Sequence, residues 1–159
     1  VSAVRFISYK DLRIGRWRSQ PLGVYLIALV GIAFFLAMTL FPQPYYWPTD
    51  AFYGDVPPLG SRAGWLGLAC MPFIFAFGAK ANLVSALTGV SSDKLIIWHS
   101  WVSWAMLVLA YTHAFPCIIY HQRKGDMAQT FRTGALWLTG VIALFSQTWL
   151  TLMSVTWIR

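Results

Sequence analysis

Apolar residues in this chain run in blocks too long for one face of a soluble helix, and polar residues gather between the blocks. Four blocks approach the roughly 20 residues that carry a helix across the hydrocarbon core of a bilayer. They cover about 21–41, 64–80, 95–119 and 134–157. Pro21 suits an opening turn of the first, and Pro42 and Pro44 follow its end. The second carries Pro72 as a kink, with room to extend past Lys80 and Asn82 where those side chains reach the interface. Ser91, Ser92 and Asp93 offer an N-cap for the third. The fourth carries Thr139, Gly140, Ser146, Gln147, Thr148, Thr151 and Ser154, residues that let membrane helices approach closely. The pattern predicts an all-α integral membrane bundle, its spans joined by a Pro- and aromatic-rich loop (42–63), a segment around 80–94 and a polar loop (120–133).

Composition agrees: 58% of the 159 residues are apolar, 17% aromatic and only 11% charged, against about a quarter charged in soluble domains. The net charge of +7 does not point to nucleic acid, because the basic residues cluster at segment ends rather than alternating with aromatics on one polar surface. Topology explains them instead. Eight of the 12 Lys and Arg lie in the N-terminal segment, the 80–94 connection and at Arg159; Arg62, Arg123, Lys124 and Arg132 fall in the other two loops. The positive-inside rule then places a basic N-terminal segment, 1–20, in the cytosol. The apolar run after it is too long for the core of a secretory signal and reads as a retained span. The chain opens on Val1 without Met, which reads as processing or as part of a longer protein. Cys70 and Cys117 sit in apolar segments without metal-ligand spacing and read as plain buried residues.

Histidine changes the picture. His99 and His113 lie in the third block, fourteen residues apart. On a helix that spacing returns to within about 40° of the same face after a climb of about 21 Å. Two imidazoles thus look out at two depths, His99 near the cytosolic surface and His113 near the opposite one. Three chemistries compete for them. One is a hydrogen bond to a neighbouring helix. A proton relay is poorly supported, since Glu is absent and every Asp lies in a loop or flank. The third is axial ligation of haem iron, which stands level with the hydrogen-bonded reading on spacing alone. If haem is the answer, nitrogens about 21 Å apart must serve two separate irons, one ligand each. His121 reads as a solvated loop residue, so the partner ligands must come from elsewhere. Trp98, Trp101, Trp104 and Phe115 flank the pair as belt, packing or pocket-wall residues, and Pro116 bends the helix just past His113.

Several stretches resemble the transmembrane domain of fungal ferric-chelate reductases, relatives of the NADPH oxidases. These are PPLGSRAGW before the second span, KANLVSALTG running into SSDKL, HSW followed by YTHAFP, and TGVIALFSQTWLTLMSVTWIR at the end. The resemblance implies that His99 ligates an inner and His113 an outer b-type haem, each shared with a histidine of a later helix in a domain of six or seven helices. It also implies FAD- and NADPH-binding domains in the cytosol, beyond the partial domain at 21–159. The implied activity passes electrons from NADPH through FAD and two haems to extracytosolic ferric chelates or cupric ion, at the plasma membrane. An iron or copper uptake permease or oxidase is the implied partner, and the chain alone is expected to be inactive. Ser100 stands where the family often has Arg, leaving Lys80, Lys94 or another residue to meet a haem propionate. The rival readings are a superoxide-producing oxidase and a non-redox transporter or scaffold.

Overall fold

The computed structural model describes residues 13–14, 17–18, 21–47 and 56–155. Most of the basic N-terminal segment lies outside them. Two two-residue strands, β1 (Arg13–Ile14) and β2 (Trp17–Arg18), pair antiparallel with Arg13 opposite Arg18. This ladder is the one departure from an all-α chain among the described residues.

The chain divides into two units, 1–41 and 42–159. The first contains α1 (Leu22–Leu40), preceded by Pro21 at the N-cap position, one residue before the opening turn expected of it. α1 is apolar around its whole circumference, and Leu26, Leu29, Val30 and Phe34 are each more than half exposed. Such a helix has no water-facing side; it is built for lipid.

In the second unit α2 runs Pro58–Gly78, α3 Leu83–Thr88, α4 Ser92–Lys124, α5 Met127–Thr133 and α6 Ala135–Met153. α1, α2, α4 and α6 are each long and apolar enough to cross a membrane. Leu136, Phe145 and Leu150 on α6 stay more than two-thirds exposed, as lipid-facing side chains would.

Three boundaries differ from the pattern-based reading. α2 starts six residues before Gly64, because Pro58 occupies its first position, where a missing N–H costs nothing. It does not reach Lys80 or Asn82: Ala79 is extended, and Asn82 caps α3 instead. The Asn82 side-chain oxygen accepts from the amides of Val84 and Ser85 at 3.0 and 3.2 Å, and its amide donates to the Phe77 carbonyl at 3.2 Å. The third difference is length. α4 has 33 residues, about 50 Å of helix, so it outruns a hydrocarbon core of about 30 Å.

α4 is the spine of this unit. It packs along α2 over most of that helix and meets α6 on another side. The α2 face toward α4 is built from small residues: Gly60, Ala63, Gly67 and Cys70 are buried. Gly60 approaches so near that a Cβ there would meet Cys117 Sγ at 3.1 Å and the His113 carbonyl at 3.2 Å. Cys70 and Cys117 are free and buried in this seam, as expected. Toward α6, the Tyr111 hydroxyl and Thr148 Oγ1 are 3.0 Å apart.

Candidate functional site

Both histidines project from the one uninterrupted helix α4, so their helical separation in depth is real. His99 is half-buried and His113 exposed. Each turns its Nδ1 to the backbone of α2. His113 Nδ1 lies 2.7 Å from the Gly60 carbonyl oxygen, and His99 Nδ1 lies 2.9 Å from that of Ile74.

A carbonyl only accepts, so in both rings Nδ1 carries the proton and donates it. In the neutral imidazole Nε2 is then a bare lone pair. Neither Nε2 has a hydrogen-bond partner among the described residues. Both arrangements are what a metal-ligating histidine adopts: one nitrogen fixed by an outer partner, the other offered to an ion.

Beside His113 lies an open cavity of about 490 Å³. Its lining includes Trp65, Leu68, Met71, Met106 and Ala110 as well as the histidine. This wall is mostly apolar and suits a flat hydrophobic macrocycle. Trp65 is the aromatic there; Trp98, Trp101 and Phe115 are not part of it. Phe115 instead stacks on Tyr111, with ring centroids 5.6 Å apart. No group of three or more His, Cys, Asp or Glu gathers to form a chelating cluster among the described residues. Each depth thus offers one imidazole, which fits a cofactor that brings further ligands of its own. Ser100, Lys80 and Lys94 are all exposed.

His121 corrects the expectation of a solvated loop residue. It lies in the last turn of α4 and is 6% exposed. Its Nδ1 is 2.8 Å from Asp126 Oδ1, while Lys124 Nζ is 3.2 Å from Oδ2. The His121 hydrogen bond and then the Lys124 contacts hold the Asp126 carboxyl below the usual carboxylate range, against some opposing desolvation. The ring also meets Trp137 of α6 edge-on at 5.0 Å. The sequence reading missed this clasp because α5 is too short and polar to show as a helix, and it missed the carbonyl partners because backbone groups leave no residue-type signature.

Fold and site together define a polytopic helical membrane protein that presents two backbone-oriented imidazoles at separate depths. Residues 63–159 match the family model of the ferric reductase like transmembrane component. Ferric/cupric reductase transmembrane component 7 of Saccharomyces cerevisiae is 29% identical over 134 residues, 81% of this chain and 21% of that protein. The probable cell surface ferric reductase kap2 of Aspergillus oryzae is 36% identical over 121 residues, 73% of this chain and 16% of that protein. A third relative, Protein DETOXIFICATION 33 of Arabidopsis thaliana, bears a name from outside the reductases and is 27% identical over 108 residues, 67% of this chain and 22% of its own. No solved structure matches the chain. The chain belongs to the ferric reductase like transmembrane component family, and it spans about a fifth or less of the two reductases it matches.

Proposed function

We propose that this chain is the haem-bearing part of a transmembrane metalloreductase, in which His99 and His113 would each hold a separate b-type haem through Nε2. The observation that carries the reading is the pair of unpartnered Nε2 atoms, each on a ring whose Nδ1 is committed to an α2 carbonyl. A bis-imidazole haem supplies a one-electron carrier with no open coordination position, suited to relay and not to oxygen chemistry at the metal.

The chain's residues do the rest. Nδ1–H donation to Gly60 and Ile74 fixes the tautomer and raises the basicity of Nε2. The apolar lining beside His113 offers a hydrophobic wall next to that ring. α4 holds the two imidazoles about 21 Å apart along its axis, one toward each surface. On the positive-inside count the N-terminus and His99 face the cytosol and His113 the far side. NADPH, through FAD, is the electron source in this reading, and its two electrons reduce two ferric or two cupric ions by one each. The relatives' names, ferric/cupric reductase and cell surface ferric reductase, support the metal substrate and a surface membrane. An iron or copper permease or oxidase as downstream partner belongs to this reading as an expectation from the chemistry of the product alone.

The test is a reduced-minus-oxidised visible spectrum of membranes from cells expressing the full-length protein. Wild type gives a b-type band above that of untransformed membranes; His99→Ala and His113→Ala each lower it, and the double variant abolishes the increment. An absent wild-type increment, or a full one in the double variant, overturns the proposal. Ferric-chelate reduction measured against oxygen consumption then separates a reductase from a superoxide-producing oxidase.

A further inference from the structure

We infer that α2, which contributes no ligand, is the positioning element for both sites, and that Gly64 and Gly78 are its gauges. The inference rests on the haem reading above and adds to it residues that touch neither iron nor substrate.

The same contact occurs twice. His113 meets the carbonyl of Gly60 and would collide with a side chain at Gly64; His99 meets the carbonyl of Ile74 and would collide with one at Gly78. In a helix the carbonyl of residue i points at the N–H of residue i+4. A residue without a side chain at i+4 therefore leaves that carbonyl open to a second donor from a neighbouring helix. Gly64 is i+4 to Gly60, and Gly78 is i+4 to Ile74. Carbonyls, glycines and histidines all repeat at fourteen residues, on two helices that run in opposite directions.

The clearances are tight. A Cβ at Gly64 would lie 2.8 Å from His113 Nδ1, and one at Gly78 would lie 2.9 Å from both Nδ1 and Cε1 of His99. Neither ring can back away without giving up the hydrogen bond made by that same nitrogen. Among the glycines whose surroundings are described, no other Cβ would strike an imidazole: at Gly60 it meets Cys117 Sγ and the His113 carbonyl, at Gly134 the Thr130 carbonyl, at Gly67 Leu109 at an ordinary 3.7 Å, and Gly140 has nothing within 4 Å. The two cradles share no residue, so disturbing one leaves the other intact.

The test uses the full-length haem protein with Gly64→Ala, Gly78→Ala and, as a control for adding a methyl to a helix, Gly140→Ala. Low-spin ferric EPR and redox titration read the haems one by one, independent of turnover. Gly64→Ala shifts or depletes one signal, the one lost in His113→Ala, and Gly78→Ala affects the one lost in His99→Ala. Retention of the affected haem falls about tenfold to a hundredfold, the usual effect of removing an outer partner of a metal ligand. Gly140→Ala changes neither. If an alanine variant fails to accumulate, removing the ring it strikes decides the cause. Gly64→Ala with His113→Ala accumulates like His113→Ala alone, whereas pairing it with His99→Ala gives no rescue. The inference is overturned if a wild-type protein shown to hold haem keeps both signals unmoved in Gly64→Ala and Gly78→Ala, if both variants disturb both signals alike, or if ring removal rescues nothing. A wild type without haem overturns the proposed function instead.

Discussion

His121 Nδ1 and Asp126 Oδ1, 2.8 Å apart, close the end of α4 onto the cap position of α5, and the buried ring rests edge-on against Trp137 at the start of α6. One side chain thus ties three helices together. His121→Ala is expected to leave Asp126 without its imidazole partner and to remove the ring packed on Trp137, destabilising this end. Faster amide exchange confined to 121–137, with the His99 region unchanged, would check it.

Asp126 sets the pH dependence of that clasp. Its carboxyl is held low in the folded state, so its contribution is fully present above the ordinary carboxylate range, near pH 4, and is lost as the pH falls through the lower folded value. Between pH 5 and 8 this group adds no slope to stability. Thermal unfolding of wild type and Asp126→Ala in detergent should differ at pH 5, with the gap closing toward pH 3. A gap that instead widens between pH 5 and pH 3 would contradict the sign.

Asn82 satisfies two orphan amides of α3 while holding the last turn of α2. Asn82→Ala is expected to cost about 1 kcal/mol. The loss should appear as faster exchange at Val84 and Ser85, since those amides lose their acceptor.

Tyr111 and Thr148 join α4 to α6 through one hydrogen bond between hydroxyls. Interhelical bonds of this kind in a membrane average about 0.6 kcal/mol. Tyr111→Phe, Thr148→Val and the double variant should therefore give a small coupling energy in a double-mutant cycle. Thr148 Oγ1 also donates to the Leu144 carbonyl, which keeps its hydroxyl satisfied when Tyr111 is changed.

Much of the fold was legible because lipid imposes a coarse rule. A run of apolar residues near the length of the bilayer must be a helix, and the spans over α1 and α6 fell within a few residues of the observed elements. Errors arose where the helix leaves the apolar layer. α4 continues through Tyr120, His121, Gln122, Arg123 and Lys124, since a helix entering water needs no further apolar residues, only a stop, here Gly125 at φ 78°. His99 and His113 were legible as a pair, but the choice between an interhelical hydrogen bond and metal ligation was posed too sharply. Each ring has two nitrogens: Nδ1 makes the interhelical hydrogen bond, and the ligation proposed above would use Nε2. The spacing of Gly64 and Gly78 stood in the sequence as plainly as that of the histidines. It went unread because glycine in a membrane helix so often marks nothing more than close packing.

Matched spacing on α2 and α4 also restricts how this protein can change length. Deleting or inserting one residue between Gly64 and Ile74 would rotate one cradle by about 100° relative to the other, while both histidines stayed fixed on α4. A single-residue indel between His99 and His113 would do the same from the other side. Equal single-residue changes in both helices do not compensate, since each turns its own partner about 100° away from the seam; only paired changes of nearly whole turns, about seven residues in each helix, keep two rings on two carbonyls. Substitutions can accumulate across this stretch, but its two intervals can drift only together and by whole turns.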